Sequence, residues 1–349
     1  MLSAIPLLAS LFLGATQVHG QIQIISPFTN LTVSAGDAST ASNCFPAVGF
    51  QMPSSTPASL NGWWCDTSTE YAWVGFSYEV TACQSRSQLK SEFTNIRKKF
   101  QGRYVRLYGA CDRDGFYDDV VEAAWQAGIG VHALIWFGFD GGDIWKTRRD
   151  NLVNSLFSNP KAPYVTRVVQ FGSEPLFDDV LTVNSLASQV RRLKGILAPL
   201  GIPVTVSDMA YSYQKNNGAE PVLDAIDLID AHMLPFFAQD ASTAAASWPI
   251  VTRDIEWFVM NGQGKKIYLS ENGWPSETYP GVEPNSPFAV ADVQNEQDYY
   301  NLLDSMCWYF KSLSIGWFAH IYSDDQEPGY GIYGTNGQLK FPFKPQTSC

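Results

Sequence analysis

Charge is what this sequence has little of. Only 16% of its 349 residues are Asp, Glu, Lys or Arg, against roughly 25% in ordinary soluble domains. Basic residues are the scarcer kind, 23 against 34 acidic, which leaves a net charge of −11. A polyanion would be repelled, so nucleic acid is excluded as a partner. The four histidines, His19, His132, His232 and His320, fall into no H-E-x-x-H or other ligand spacing, and no metal is expected. None of the six cysteines lies in a C-x-x-C pair, which argues against zinc or thiol redox chemistry. No G-x-G-x-x-G opens a helix after the first apolar run, and Walker and G-x-S-x-G motifs are missing. Dinucleotide, nucleotide and serine-hydrolase readings fall away, and no cofactor is expected. Past the first 14 residues no stretch is long and apolar enough to span a bilayer, so no membrane partner is expected.

What is present is apolar and aromatic: 45% hydrophobic residues, 14% aromatics. Met1 to Gly14 is an apolar run, and Gly20 is a small residue before a cut, so residues 1–20 read as a secretory signal peptide. Cys44, Cys65, Cys83, Cys111, Cys307 and Cys349 fit an oxidising compartment, where six cysteines allow 15 pairings. Asn30-Leu31-Thr32 is a glycosylation sequon. A secreted, monomeric glycoprotein is expected.

Residues 21–70 are rich in Ser, Thr, Pro and Ala and read as an extension without its own core, tied by cysteines. From residue 71 to the last residue, 349, short apolar runs alternate with helical periodicity, the sign of βα units. Eight runs are predicted strands: Ala72 to Tyr78, Tyr104 to Tyr108, Ile129 to Phe137, Val165 to Gly172, Pro203 to Ser207, Asp227 to Leu234, Lys266 to Ser270, and Gly316 to Tyr322. Leu89, Phe93, Ile96 and Phe100 form a helical stripe, as do Val183, Leu186, Val190, Leu193 and Leu197, and a third runs from Val293 to Leu313. The stripes are core faces. The pattern predicts an α/β fold, a (β/α)8 TIM barrel with an irregular N-terminal extension. A doubly wound sheet is the rival.

In such a barrel the chemistry sits where strands end. The fourth run ends in Glu174 and the seventh in Glu271. Strands three apart in an eight-membered ring face each other obliquely, so the two acids can meet over the axis. Alternation along the seventh strand puts Glu271 on the side of Leu269 and Ile267. Two carboxyls about 5–5.5 Å apart are the geometry of a retaining glycosidase, one protonated and one ionised. Arg106, which shares a face with Tyr108 on the second strand, is the expected ionic partner of Glu271. Phe171, Pro175 and Phe177 offer Glu174 apolar surroundings.

Aromatics crowd the predicted strand ends: Tyr78, Trp136, Phe177, Phe236, Phe237, Trp274 and Tyr322. Flat sugar faces pack on such rings. Together they suggest a polysaccharide groove, although each alone is commonly core. His132, His232 and His320 lie within strands and read as hydrogen-bonded core residues. Asp324 and Asp325 read as solvated loop acids.

Ser270-Glu271-Asn272-Gly273-Trp274-Pro275-Ser276 resembles the nucleophile signature of glycoside hydrolase family 17, Ser-Glu-Thr-Gly-Trp-Pro-Ser. Gly172-Ser173-Glu174 resembles its acid/base segment, commonly Gly-Asn-Glu. Val105-Arg106-Leu107-Tyr108, Pro235-Phe236-Phe237 and Gly331-Ile332-Tyr333 are similar to further family segments. The likeness spans about Tyr71 to Phe343. It implies a secreted or cell-wall enzyme of the β-1,3-glucanase and β-1,3-glucanosyltransferase kind, with Glu174 as proton donor and Glu271 as nucleophile. Ser173 stands where the family has a sugar-contacting asparagine. Asp324 to Glu327 lacks the family's Trp and Lys, and a family asparagine or tyrosine is missing around His232 and Leu234.

The expected function is therefore a retaining endo-β-1,3-glucanase, with β-1,3-glucan as partner. Alternatives are a glucanosyltransferase that remodels wall glucan, a non-catalytic glucan-binding protein, and a barrel glycosidase for β-1,4-linked glucan or mannan. Expected disulfides are Cys83–Cys111, after neighbouring strands, Cys307–Cys349, between the last helix and the tail, and Cys44–Cys65 in the extension.

Overall fold

Each predicted apolar run forms one strand: β1 (Ala72–Glu79), β2 (Tyr104–Tyr108), β3 (Gly130–Ile135), β4 (Thr166–Ser173), β5 (Val204–Met209), β6 (Ile229–Met233), β7 (Ile267–Asn272) and β8 (Gly316–Ala319). In the computed structural model, which describes residues 43–349, they pair in parallel and in sequence order. β8 returns to β1, so the barrel is closed and the open-sheet rival is set aside. The expected leader, the Asn30 sequon and the start of the 21–70 extension lie outside the described residues.

Helices connect the strands: α1 (Arg86–Lys99), α2 (Phe116–Ala127), α3 (Ile144–Ser158) with the single turn α4 (Ala162–Val165), α5 (Val183–Leu197), α6 (Ala210–Lys215), α7 (Glu220–Ala225), α8 (Trp248–Asn261), α9 (Val293–Ser305) and α10 (Cys307–Ser312). Two form for plain local reasons. Ser85 caps α1 by accepting from Gln88 N–H, Leu89, Phe93 and Ile96 are buried on one face, and three basic residues end it. Thr182 caps α5 in the same way, above a buried Leu186, Val190, Leu193 and Leu197. The stripe from 293 to 313 is two helices, broken at Met306.

The barrel has two apolar populations. Helix-facing residues such as Phe171, Ile267 and Leu269 belong to the large outer core. Val74, Tyr104, Val168, Tyr268 and Phe318, from strands on all sides, meet inside. Strict alternation would therefore send Glu271 outward with Leu269. The structure corrects this: Ala231 pairs with Leu269 but His232 pairs with Glu271, so Ser270 is skipped in a bulge. A bulge reverses the facing of the residues beyond it, and Glu271 turns inward.

Residues 43–70 have no core of their own and seal the N-terminal end of the barrel, in one compact unit with it. Phe45 is fully buried, stacked on Trp63 and tilted against Trp64. Trp63 Nε1 donates to the Tyr164 carbonyl at 2.8 Å. Glu70 closes the floor. It accepts from the hydroxyls of Tyr104 and Tyr268 and pairs with Arg167 at 3.2 Å and Arg103 at 3.6 Å. Burial opposes its charge, but Arg167, Arg103 and Lys266 outweigh burial and lower its pKa. Burial pushes Lys266 down to about 7, against the pull of Glu70.

All three expected disulfides are present, Cys44–Cys65, Cys83–Cys111 and Cys307–Cys349, with Cα separations of 4.8, 5.1 and 5.8 Å. Among the described residues no helix is long and apolar enough to cross a membrane.

Candidate active site

The C-terminal mouth of the barrel is assembled by two bulges. On β4 the register slips between Gln170 and Ser173. Gly172 makes this possible: its φ is +98°, and a Cβ there would lie 2.9 Å from Phe137 and Pro175 side-chain atoms. Phe171 faces out against Trp145, while Ser173 and Glu174 turn to the mouth. Glu174 itself has a φ of +57°, and its N–H donates to the Ser207 carbonyl at 2.8 Å. Asp208, fully buried at the end of β5, accepts from the N–H groups of Leu176 and Phe177 at 2.7 and 3.3 Å. It thereby fixes the loop after Glu174, and burial pushes its carboxyl up to about 7.

Arg106 is the hub. Fully buried on β2, it donates from Nη1 to Glu271 Oε2 at 2.8 Å, from Nε to Gln170 Oε1 at 2.8 Å, and from Nη2 to Ser173 Oγ at 2.9 Å and Ser207 Oγ at 3.0 Å. Charge-assisted bonds of this kind are the strong ones. Burial alone would raise the Glu271 carboxyl. The charges of His232, His320 and Arg106, with the Arg106 hydrogen bond, outweigh it and hold the carboxyl down to about 2. The expected Arg106–Glu271 pair is thus in place.

Between the two acids lies a residue that no motif marks. His232 Nδ1 is 2.9 Å from Glu174 Oε1, and its Nε2 is 3.5 Å from Glu271 Oε2. One oxygen of each glutamate and a ring nitrogen of His232 lie within 4.8 Å of one another. Burial disfavours the imidazolium, but Glu271 and Glu174 raise the His232 pKa above its ordinary value. This trio could offer ligands to a divalent ion. The Arg106 guanidinium already stands against both Glu271 and His232, at 2.8 and 3.2 Å, and supplies the positive charge there. The apolar collar expected around Glu174 is a correction too: Phe171 points away and His232 takes its place.

The aromatic set divides. Trp136 and Phe237 are half-buried and Phe177 is exposed at the rim, and Tyr108 lies beside the Arg106 guanidinium. Four others are corrected to core. Tyr78 is fully buried under α1, bonded to Glu92. Tyr322 packs on Phe76 and Tyr78, its hydroxyl accepting from Asn95 at 2.8 Å. Phe236 and Trp274 are fully buried edge to face, with Trp274 Nε1 donating to the Val290 carbonyl at 2.8 Å. A strand end does not say which way a ring turns. Sequence reading missed exposed Phe139, beside Trp136, and Tyr211, beside Phe177. It also missed His232, although Asp230 and His232 are polar residues two apart in a wholly buried strand, a pattern that points both into the barrel. Asp324 is no solvated loop acid: it pairs with Lys340 at 3.0 Å, and Lys340 also meets Glu296 at 2.7 Å. Burial, only partly offset by Lys340, pushes Glu296 up to about 8.

A family model described as the BtgE/BtgC glycoside hydrolase domain matches residues 72–331. A glucan 1,3-beta-glucosidase of Candida albicans is 22% identical over 220 residues, 58% of this chain and 68% of that protein. In structure the chain is similar to a glycoside hydrolase family 17 beta-1,3-glucanosyltransferase of Rhizomucor miehei, with a TM-score of 0.62 and 22% identity, over 80% of this chain and 99% of that one. It is likewise similar to an active-site mutant of a Rhizomucor miehei beta-1,3-glucanosyltransferase in complex with laminaritriose, with a TM-score of 0.63 and 20% identity over the same shares. At these identities the structural likeness speaks for the fold.

Proposed function

The chain belongs to the BtgE/BtgC glycoside hydrolase domain family, and from that premise we propose that it is a retaining endo-β-1,3-glucanase using Glu174 and Glu271. Glu174 gives its proton to the glycosidic oxygen as Glu271 attacks the anomeric carbon and forms a glycosyl-enzyme. Glu174 then takes a proton from the incoming water, and the ester to Glu271 breaks with net retention. Arg106 keeps Glu271 ionised for the attack.

One observation carries the reading: one oxygen of Glu174 and one of Glu271 lie within 4.8 Å of each other, which agrees with the short carboxyl spacing of retaining enzymes, about 5–5.5 Å, better than with the roughly 6.5–9.5 Å of inverting ones. The names of the Candida and Rhizomucor relatives favour the β-1,3 linkage. Three disulfides favour an extracellular or wall location. Transfer to a sugar hydroxyl in place of water is the second reading. The rings of Phe177 and Tyr211, 6.4 Å apart and both exposed just past Glu174 and the end of β5, are an apolar shelf on which an acceptor sugar could rest.

The test is product analysis of the purified protein on laminari-oligosaccharides, with laminarin, cellulose and mannan side by side. Reducing ends released from the β-1,3 substrates first in the β configuration are expected. Products longer than the substrate would move the assignment to transfer. Binding to laminarin without any new reducing ends or longer products would overturn the enzyme reading in favour of a binding protein.

A further inference from the structure

A carboxylic acid that donates a proton has two oxygens, and only the one facing the leaving group is useful. We propose that His232 is a positioning residue that holds Oε1 of Glu174 as a hydrogen-bond acceptor and so confines the transferable proton to Oε2. This rests on the role given to Glu174 above.

The tautomer is set by the surroundings of the ring. Nε2 faces the Arg106 Nη2 at 3.2 Å, which can only donate, and the Ser207 hydroxyl at 2.7 Å; the Glu271 Oε2 stands farther off, at 3.5 Å, and already accepts from Arg106. A neutral ring with its hydrogen on Nε2 would set two N–H groups against each other. The neutral form therefore carries its hydrogen on Nδ1, and the imidazolium carries one there as well. In both states Nδ1–H donates to Glu174 Oε1 at 2.9 Å. No described residue hydrogen-bonds Glu174 Oε2, so that oxygen alone is left to carry the acidic hydrogen. His232 is 1% exposed and held on β6 between its neighbours, so the restraint is rigid. In the reaction the negative charge passes from Glu271 to Glu174 as the proton leaves. His232 contacts both, and its Nδ1–H is already aimed at the new carboxylate.

The experiment compares kcat/KM on two glycosides of one oligosaccharide. One is the natural laminari-oligosaccharide, whose sugar leaving group needs protonation. The other is 2,4-dinitrophenyl β-laminaribioside, whose leaving group does not. General acid assistance is worth about 10²–10⁴-fold. His232→Leu is expected to lose at least about tenfold more on the natural substrate than on the dinitrophenyl one, whose smaller loss reports the contact of His232 with Glu271. His232→Gln, which offers an amide N–H, is expected to recover much of the loss. Retained dinitrophenyl activity also reports that the variant is folded. Equal losses on both substrates, or no loss on either, would overturn the inference while leaving the glucanase reading intact. A wild-type protein that cleaves neither glycoside overturns that reading, and the inference with it.

Discussion

Arg106 Nη1 lies 2.8 Å from Glu271 Oε2, and neither side chain has more than 7% of its surface in water. Screening is weak at such burial, so the pair adds to His232 and His320 in holding the proposed nucleophile ionised. Removing the cation raises the Glu271 carboxyl from its value of about 2. Arg106→Gln is expected to move the acidic limb of kcat/KM upward in pH, toward the ordinary carboxylate range. A profile with an unmoved limb would show that His232 and His320 suffice.

Azide separates the two glutamates. In Glu271→Ala, with an activated β-glycoside, azide occupies the vacated attacking face and gives an α-glycosyl azide. In Glu174→Ala the glycosyl-enzyme still forms, and azide releases it as the β product. Both variants are expected to lose at least about a hundredfold on unactivated glucan. Nuclear magnetic resonance of the azide products checks the assignment, and exchanged configurations would reverse the roles.

Glu70 neutralises a floor that holds Arg167, Arg103 and Lys266. Glu70→Gln leaves those charges buried without a counterion, a change that costs about 3–5 kcal/mol for pairs of this kind. A large drop in melting temperature is expected. Because the Glu70 pKa is lowered on folding, its contribution is present above its unfolded value of 4.5 and is lost as pH falls below that. The gap between wild type and variant should therefore narrow in acid, which thermal melts over a pH series would measure.

Phe177→Ala and Tyr211→Ala are expected to lower the ratio of transfer to hydrolysis. Loss of one ring contact of about 1 kcal/mol corresponds to roughly fivefold. Hydrolysis of an activated donor should change little. Chromatography of products at high acceptor concentration gives the ratio directly.

The eight strands were legible because each is a short apolar run bounded by turn formers, and both glutamates because strand ends at one face carry the chemistry. The resemblance to glycoside hydrolase family 17 is borne out by the family match and the relatives. Facing was not legible. A period of two cannot register the skipped Ser270 on β7, whereas Gly172 inside β4 was a visible mark of the other bulge. Tyr78, Phe236, Trp274 and Tyr322 share their strand-end position with Trp136 and Phe177. Only the packing of helices and loops over them decides that the first four are core. His232 was hidden for a related reason. Its importance comes from four strands that converge on it, none of them near it in sequence.

The left-handed backbone of Glu174, with φ at +57°, has an evolutionary corollary. An L-residue with a long side chain sits there at a cost of about 1–2 kcal/mol, which glycine would not incur and asparagine would reduce. Selection for turnover is what keeps glutamate in place. In descendants freed from that selection, drift to glycine or asparagine at this position would be favoured by folding itself. A single backbone angle thus singles out the position where lost activity would first leave its mark in a pedigree.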